Sequence, residues 1–193
     1  MKIGLYFGSF NPIHFGHLII ANHILNESEI KKIWLIVSPQ NPLKPGSSLL
    51  NEYHRLHLAN LATEGDNRIQ VSDIEFKLPR PSYTVNTLAY LSEKYPENQF
   101  SVIMGSDSYQ NLTKWKNYDV IVKNYSVYVY KRMGYEPGSH FGIAPHVMNA
   151  PLLEVSATEI RNLIKEGKSI RYLVPEKVRE EIEQNRYYKT MLK

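Results

Sequence analysis

Short apolar runs alternate along this chain with stretches whose apolar residues recur every three or four positions. Residues 3–7 form an apolar run suited to a buried strand. In residues 16–26, Leu18, Ile19, Ala21, Ile24 and Leu25 follow helical spacing. A second strand is predicted at 33–37, ending at Ser38-Pro39, and Pro39, Pro42 and Pro45 with Gly46 predict a loop. A helix over 53–62, a strand over 69–74 and a helix over 84–95 come next, the last stopped by Pro96. Residues 100–104 read as a fourth strand closed by Gly105, and 126–130 as a fifth. The pattern then changes, with helices at 157–165 and 176–184 and no strong strand between them.

Strand and helix in alternation imply right-handed βαβ units and a parallel sheet. The expected fold is therefore α/β, a Rossmann-like doubly wound sheet of five or six strands. One domain is expected over 1–193, with a C-terminal helical part from about residue 156. Ligands of such sheets bind beyond the carboxyl ends of the strands. The segments 8–17, 39–46, 78–84 and 105–115 all follow predicted strands, so they should converge on one crevice.

Composition narrows the classes. With 193 residues, 42% hydrophobic and 22% charged, the chain can bury its own core. It has no cysteine, which excludes thiol catalysis, disulfides and cysteine-ligated zinc. Its first apolar run is too short for a secretory signal and no later run could span a bilayer, so a cytoplasmic location and no membrane partner are expected. The net charge is +4, but Lys and Arg are spread along the chain without a basic run. Nucleic acid is therefore not the expected partner, and small anions are.

The richest segment is Gly8-Ser9-Phe10-Asn11-Pro12-Ile13-His14-Phe15-Gly16-His17. Gly8 ends a strand and permits close approach to a ligand. Gly16 lies where a helix begins, and without a side chain there a phosphate could reach free N–H groups at the positive end of the dipole. His14 and His17, three apart, could donate to phosphate oxygens. The segment lacks Gly-Lys-Ser/Thr and Gly-x-Gly-x-x-Gly, so neither a Walker loop nor dinucleotide oxidoreductase chemistry is indicated. On spacing alone, Ser156 with Glu159 is a helix capping box, and Thr84 opens a helix.

With its Gly-x-Phe-Asn-Pro-x-His-x-Gly-His at 8–17, the chain resembles the nucleotidyltransferase superfamily, and within it the bacterial nicotinate mononucleotide adenylyltransferases. Val155-Ser156-Ala157-Thr158-Glu159-Ile160-Arg161 resembles that family's second phosphate motif, with Ala157 where a second serine is usual. Ser82-Tyr83-Thr84 and Gly105-Ser106-Asp107, followed by Lys114-Trp115, resemble two more family segments. Asn86 and Leu43 depart from the family's usual acidic residue and histidine.

The resemblance implies an adenylyltransferase that joins ATP and nicotinate mononucleotide to give deamido-NAD and pyrophosphate. It implies ATP contacts at Gly8, Ser9, Phe10, His14, Gly16, His17, Gly105, Asp107, Ser156, Thr158 and Arg161. Catalytic roles fall to His14, His17 and Arg161. The mononucleotide falls to Lys44, Thr84, Trp115, Lys116 and Arg132. Mg²⁺ is expected to arrive with ATP, held by phosphates and water and not by dedicated protein ligands. The nucleophile is already an anion, so direct in-line transfer needs positioning and charge stabilisation and no strong base. Another acceptor, such as nicotinamide mononucleotide or phosphopantetheine, and a non-catalytic nucleotide or RNA-binding module are the alternatives. Homo-oligomer formation is left open.

Overall fold

A computed structural model describes residues 1–40, 49–136, 138, 144–151 and 154–189. Six parallel strands form one sheet in the order β3-β2-β1-β4-β5-β6. They are β1 (Lys2–Gly8), β2 (Lys32–Val37), β3 (Ile69–Ser72), β4 (Gln99–Gly105), β5 (Ser126–Tyr130) and β6 (His146–Met148). The helices are α1 (Phe15–Glu27), α2 (Glu52–Thr63), α3 (Thr84–Lys94), α4 (Ser106–Gln110), α5 (Tyr118–Asn124), α6 (Ala157–Lys165) and α7 (Glu176–Gln184).

The period-2 alternation of the strands divides the core in two. Tyr6, Ile33, Leu35, Val37, Ile103, Tyr128 and Tyr130 face one side, where Ala21 and Ile24 of α1, Leu58 of α2, Ile160 and Ile164 of α6 and Val178 and Ile182 of α7 cover them. Ile3, Leu5, Trp34, Ile36, Val102, Met104, Val127 and Val129 face the other, under Val85, Leu88 and Leu91 of α3 and Ile121 of α5. Both faces are covered, as a parallel sheet requires. The i, i+4 pairs Ile160/Ile164 and Val178/Ile182 are buried, each side chain being worth about 1.5–3 kcal/mol of burial. They hold the C-terminal helices against the α1 side of the sheet.

The doubly wound expectation holds, with six strands. Three details differ from what the spacing predicts. The third strand stops at Ser72, and Ile74–Lys77 turns into a 3-10 helix that buries Ile74 and Glu75. The predicted loop 105–115 is mostly helical, as α4 and a 3-10 turn at Leu112–Lys114 bury Tyr109 and Leu112. β6 and α5 escape prediction, because three residues and seven residues are too few to show a period. No helix among the described residues is long and apolar enough to cross a membrane.

β1 lies between β2 and β4, so the chain leaves it on one side and returns on the other. That reversal opens a crevice at the carboxyl ends of β1 and β4.

Candidate active site

The crevice is a cleft of about 910 Å³. Its wall includes Gly8, Ser9, Phe10, His14 and His17 after β1, Thr84 at the start of α3, and Gly105 and Asp107 after β4. Trp115, Lys116 and Arg132 come from the segments around α5 and β5, and Ser156, Thr158 and Arg161 from α6. Gly16 lines an adjoining recess that shares His14, His17 and Ser156. Lys44 lies outside the described residues. The cleft is lined by Lys114, Lys116, Arg132 and Arg161 against the carboxylates Glu75 and Asp107. That excess of positive charge suits a polyphosphate.

His14 caps α1 and His17 stands one turn inside it. The His14 backbone N–H donates to His17 Nδ1 at 3.3 Å. An accepting Nδ1 places the proton of neutral His17 on Nε2. The two rings lie 3.8 Å apart between centroids. Phe10, itself buried, meets the His17 ring edge-on at 5.0 Å. Phe10 thus contributes its ring as a support for His17.

Burial, reinforced by the charge of Arg132, lowers the His14 pKa to about 4. His14 is therefore a neutral imidazole near pH 7, and its buried Nδ1 has no hydrogen-bond partner among the described residues. The stronger, protonated donor that the sequence allows does not apply to His14 in the unliganded protein.

Gly16 has a different physical reason from the one expected. A Cβ there would lie 2.9 Å from both Cε1 and Nδ1 of His14, so the missing side chain makes room for the imidazole. The helix terminus is also less open than anticipated. The Phe15 N–H donates to the Leu173 carbonyl at 3.0 Å and the His17 N–H to the His14 carbonyl at 3.0 Å. A Cβ on Gly8 would likewise meet the Phe10 ring at 2.9 Å.

Arg161 joins the segment after β1 to the start of α6. Its Nη1 donates to the Asn11 carbonyl at 2.7 Å and its Nη2 to Thr158 Oγ1 at 3.2 Å. Ser156 caps α6, its Oγ accepting from the Glu159 N–H at 3.1 Å. On the β4 side, Asp107 Oδ1 stands 3.3 Å from Arg132 Nε. The backbone of Arg132 donates to Ser106 Oγ at 2.9 Å, and its Nη2 to the Tyr130 hydroxyl at 3.2 Å. Tyr130 in turn accepts from the buried Tyr6 hydroxyl at 3.1 Å. Arg132 is thereby held beside the histidines and the β4 turn.

At the other end, Tyr83 caps α3 and Thr84 is its first residue. The Lys116 ammonium lies 4.6 Å from the centre of the Tyr83 ring, which ties the Trp115-Lys116 segment to the start of α3. Trp115 is half-buried, consistent with a ring that keeps one surface available.

Sequence reasoning missed three buried polar groups, of which Glu75 lines this cleft. Arg55 of α2 is fully buried. Glu75 is 1% exposed, accepts from Thr87 Oγ1 at 2.8 Å, and its carboxyl is pushed up by burial. Tyr188 has a buried hydroxyl whose pKa burial raises, in the field of Arg55 and Arg161. Nothing in their local spacing marks them, since each matters through what folds against it.

Residues 5–163 match the family model described as cytidylyltransferase-like. A probable nicotinate-nucleotide adenylyltransferase of Flavobacterium johnsoniae is 55% identical, with 98% of this chain and 100% of the relative covered. The probable nicotinate-nucleotide adenylyltransferase of Bacteroides thetaiotaomicron is 43% identical over 94% of this chain and 91% of its own length. Among solved structures, the nicotinic acid mononucleotide adenylyltransferase of Plasmodium falciparum complexed with NaAD superposes with a TM-score of 0.82. It is 20% identical, with 97% of each chain covered, and supports the fold.

Proposed function

Because the chain belongs to the cytidylyltransferase-like family, we propose that it joins ATP and nicotinate mononucleotide, giving deamido-NAD and pyrophosphate. The full-length likeness to relatives of that name supports this reading. The observation that carries it is the meeting of three separated motifs in one cleft: the His14/His17 loop, the Ser156–Arg161 helix start and the Thr84/Trp115 pair.

In this reading the triphosphate lies between the N-termini of α1 and α6, where Arg161 bridges the two motifs. A phosphate oxygen of nicotinate mononucleotide attacks the α-phosphorus of ATP. The bond from that phosphorus to the oxygen bridging the α- and β-phosphates breaks, and pyrophosphate carries away the electron pair. His17, with Nε2 as donor, and neutral His14 stabilise charge on the phosphates in flight. Neither is asked to remove a proton, since the attacking phosphate is already anionic. The start of α3 at Thr84 offers its dipole to the pyridine carboxylate, and Trp115 offers a ring face to the pyridine. Gly8, Ser9, Gly105 and Asp107 bound the nucleotide by backbone and carboxylate at the ends of β1 and β4. Arg132 and Lys116 complete the cationic surround.

Mg²⁺ enters in this reading as part of the substrate, MgATP. Phosphate oxygens and water supply most of its ligands. Asp107 is a carboxylate at the strand ends whose Oδ1 faces Arg132 Nε at 3.3 Å, so its contact with the ion would be an occasional or water-mediated one. A cysteine-free chain acting on these metabolites also fits a cytoplasmic location.

The test is pyrophosphate release from ATP with nicotinate mononucleotide, nicotinamide mononucleotide and phosphopantetheine offered separately. Fast release with the acid and slow release with the other two is expected. Preference for the amide would overturn the acceptor, and binding of ATP without release for any acceptor would leave a non-catalytic module.

A further inference from the structure

Arg55 sits in the first half of α2 with none of its side chain exposed to solvent. Its Nε donates to the Leu50 carbonyl at 2.8 Å. Its Nη1 donates to the carbonyls of Ser9 at 2.5 Å and Ser38 at 2.9 Å, and its Nη2 to that of Pro39 at 3.2 Å. Glu52, three residues earlier, is engaged by Arg80 at 2.7 Å and acts on Arg55 only from a distance. A guanidinium buried without a contacting carboxylate among the described residues is a poor way to stabilise a fold, since the ion gives up its hydration without a counter-charge in return. Its partners suggest what the arrangement is for.

Those carbonyls belong to two loops that leave the sheet side by side. Ser9 follows β1 and begins the segment carrying His14 and His17. Ser38 and Pro39 follow β2. The two loops also touch directly, the Ser38 N–H donating to the Gly8 carbonyl at 2.9 Å. The second loop reaches the acceptor end of the cleft, because the Ser82 N–H donates to the Gln40 carbonyl at 3.3 Å, two residues before Thr84. One planar group thus joins the ATP side to the acceptor side.

We propose that Arg55 is a positioning residue for adenylyl transfer, locking the loop after β1 to the loop after β2 so that ATP and the acceptor phosphate are held in register. This inference rests on the adenylyl-transfer reading. Its signature is a loss in turnover without a matching loss in the binding of either substrate alone, because each half-site keeps its own contacts.

The experiment uses full-length Arg55→Lys, which keeps the charge but replaces a planar fork by a single ammonium. A shift of about 1 Å in reacting groups costs about a hundredfold, so kcat is expected to fall by about 30- to 100-fold. The Kd values for ATP, and for nicotinate mononucleotide, each measured alone by calorimetry, should stay within about threefold of wild type. Leu58→Ala, a buried apolar truncation on the same helix, is the control for simple destabilisation. At a temperature where thermal unfolding shows it fully folded, it should keep wild-type kcat. Arg55→Lys with kcat within about threefold of wild type would overturn the inference. So would equal effects in the two variants, or an Arg55→Lys protein that does not fold, since Arg55 would then be a determinant of folding alone. Wild-type protein inactive with ATP and nicotinate mononucleotide would instead bring down the activity on which the inference rests.

Discussion

Adding a single methyl group at Gly16 separates stability from catalysis in this protein. The Cβ of Gly16→Ala would stand 2.9 Å from Cε1 and Nδ1 of His14. Non-bonded carbon contacts are comfortable from about 3.5 Å, so the ring must retreat by about 0.6 Å (3.5 − 2.9). It has little freedom to do so, being 6% exposed and 3.8 Å from the His17 ring between centroids. The displacement therefore passes to both histidines. Overpacking of this kind costs about 1–3 kcal/mol, and alanine in a helix returns up to about 1 kcal/mol over glycine. The folded state should survive, with thermal unfolding shifted by only a few degrees. Turnover should not survive as well: misplacing donors by a good fraction of an ångström is expected to lower kcat at least tenfold. Pyrophosphate release at saturating substrates measures this. The cycle with His14→Ala isolates the cause, because the added methyl should do little once the imidazole is gone. Wild-type kcat in a folded Gly16→Ala protein, or an undiminished effect in the His14→Ala background, would refute the reasoning.

Other outcomes follow from the same geometry. His17→Ala removes one donor to developing phosphate charge and should lower kcat about a hundredfold, about 3 kcal/mol, with near-UV circular dichroism unchanged; near-normal turnover would remove His17 from that role. The folded-state pKa of His14, about 4, lies below its unfolded value of 6.5, so the unfolded chain binds more protons between those limits. Stability from this group is therefore full above about pH 6.5 and lost as pH falls toward 4, by about 3 kcal/mol in total. Denaturant titrations of His14→Gln across that window should show a flatter acid limb than wild type. Ser156→Ala deletes the 3.1 Å cap of α6 and should cost about 1 kcal/mol in urea unfolding, a larger loss being inconsistent with its exposed position.

Much of the fold was legible because its signals are local. Apolar runs in β1, β2, β4 and β5 and the helical spacing in α1, α2, α3, α6 and α7 are properties of neighbours in sequence. The capping of α6 by Ser156 was likewise visible in the spacing, since a cap is completed within three residues. The cluster of His14, His17 and two glycines at a strand-to-helix junction, the basis of the proposed anion site, was visible through residue type and spacing alone. β6, with three residues, and α4, with five, carried no period to read and exist because β5 and the end of β4 present surfaces for them.

At the site, the sequence by itself determined which residue types are available: imidazoles, an arginine after a helix cap, a tryptophan among lysines, and glycines where side chains would intrude. Tertiary structure decided what each does. It filled the space beside Gly16 with an imidazole in place of an open path to backbone N–H groups, and made His14 neutral by burying it near Arg132. It placed Arg55, unremarkable in its helix, under the carbonyls of Ser9, Ser38 and Pro39. The physical reason is common to all three. Spacing along the chain sets which groups can reach a helix face or a loop, but desolvation and hydrogen-bond partners come from whatever the sheet brings against them, residues distant in sequence.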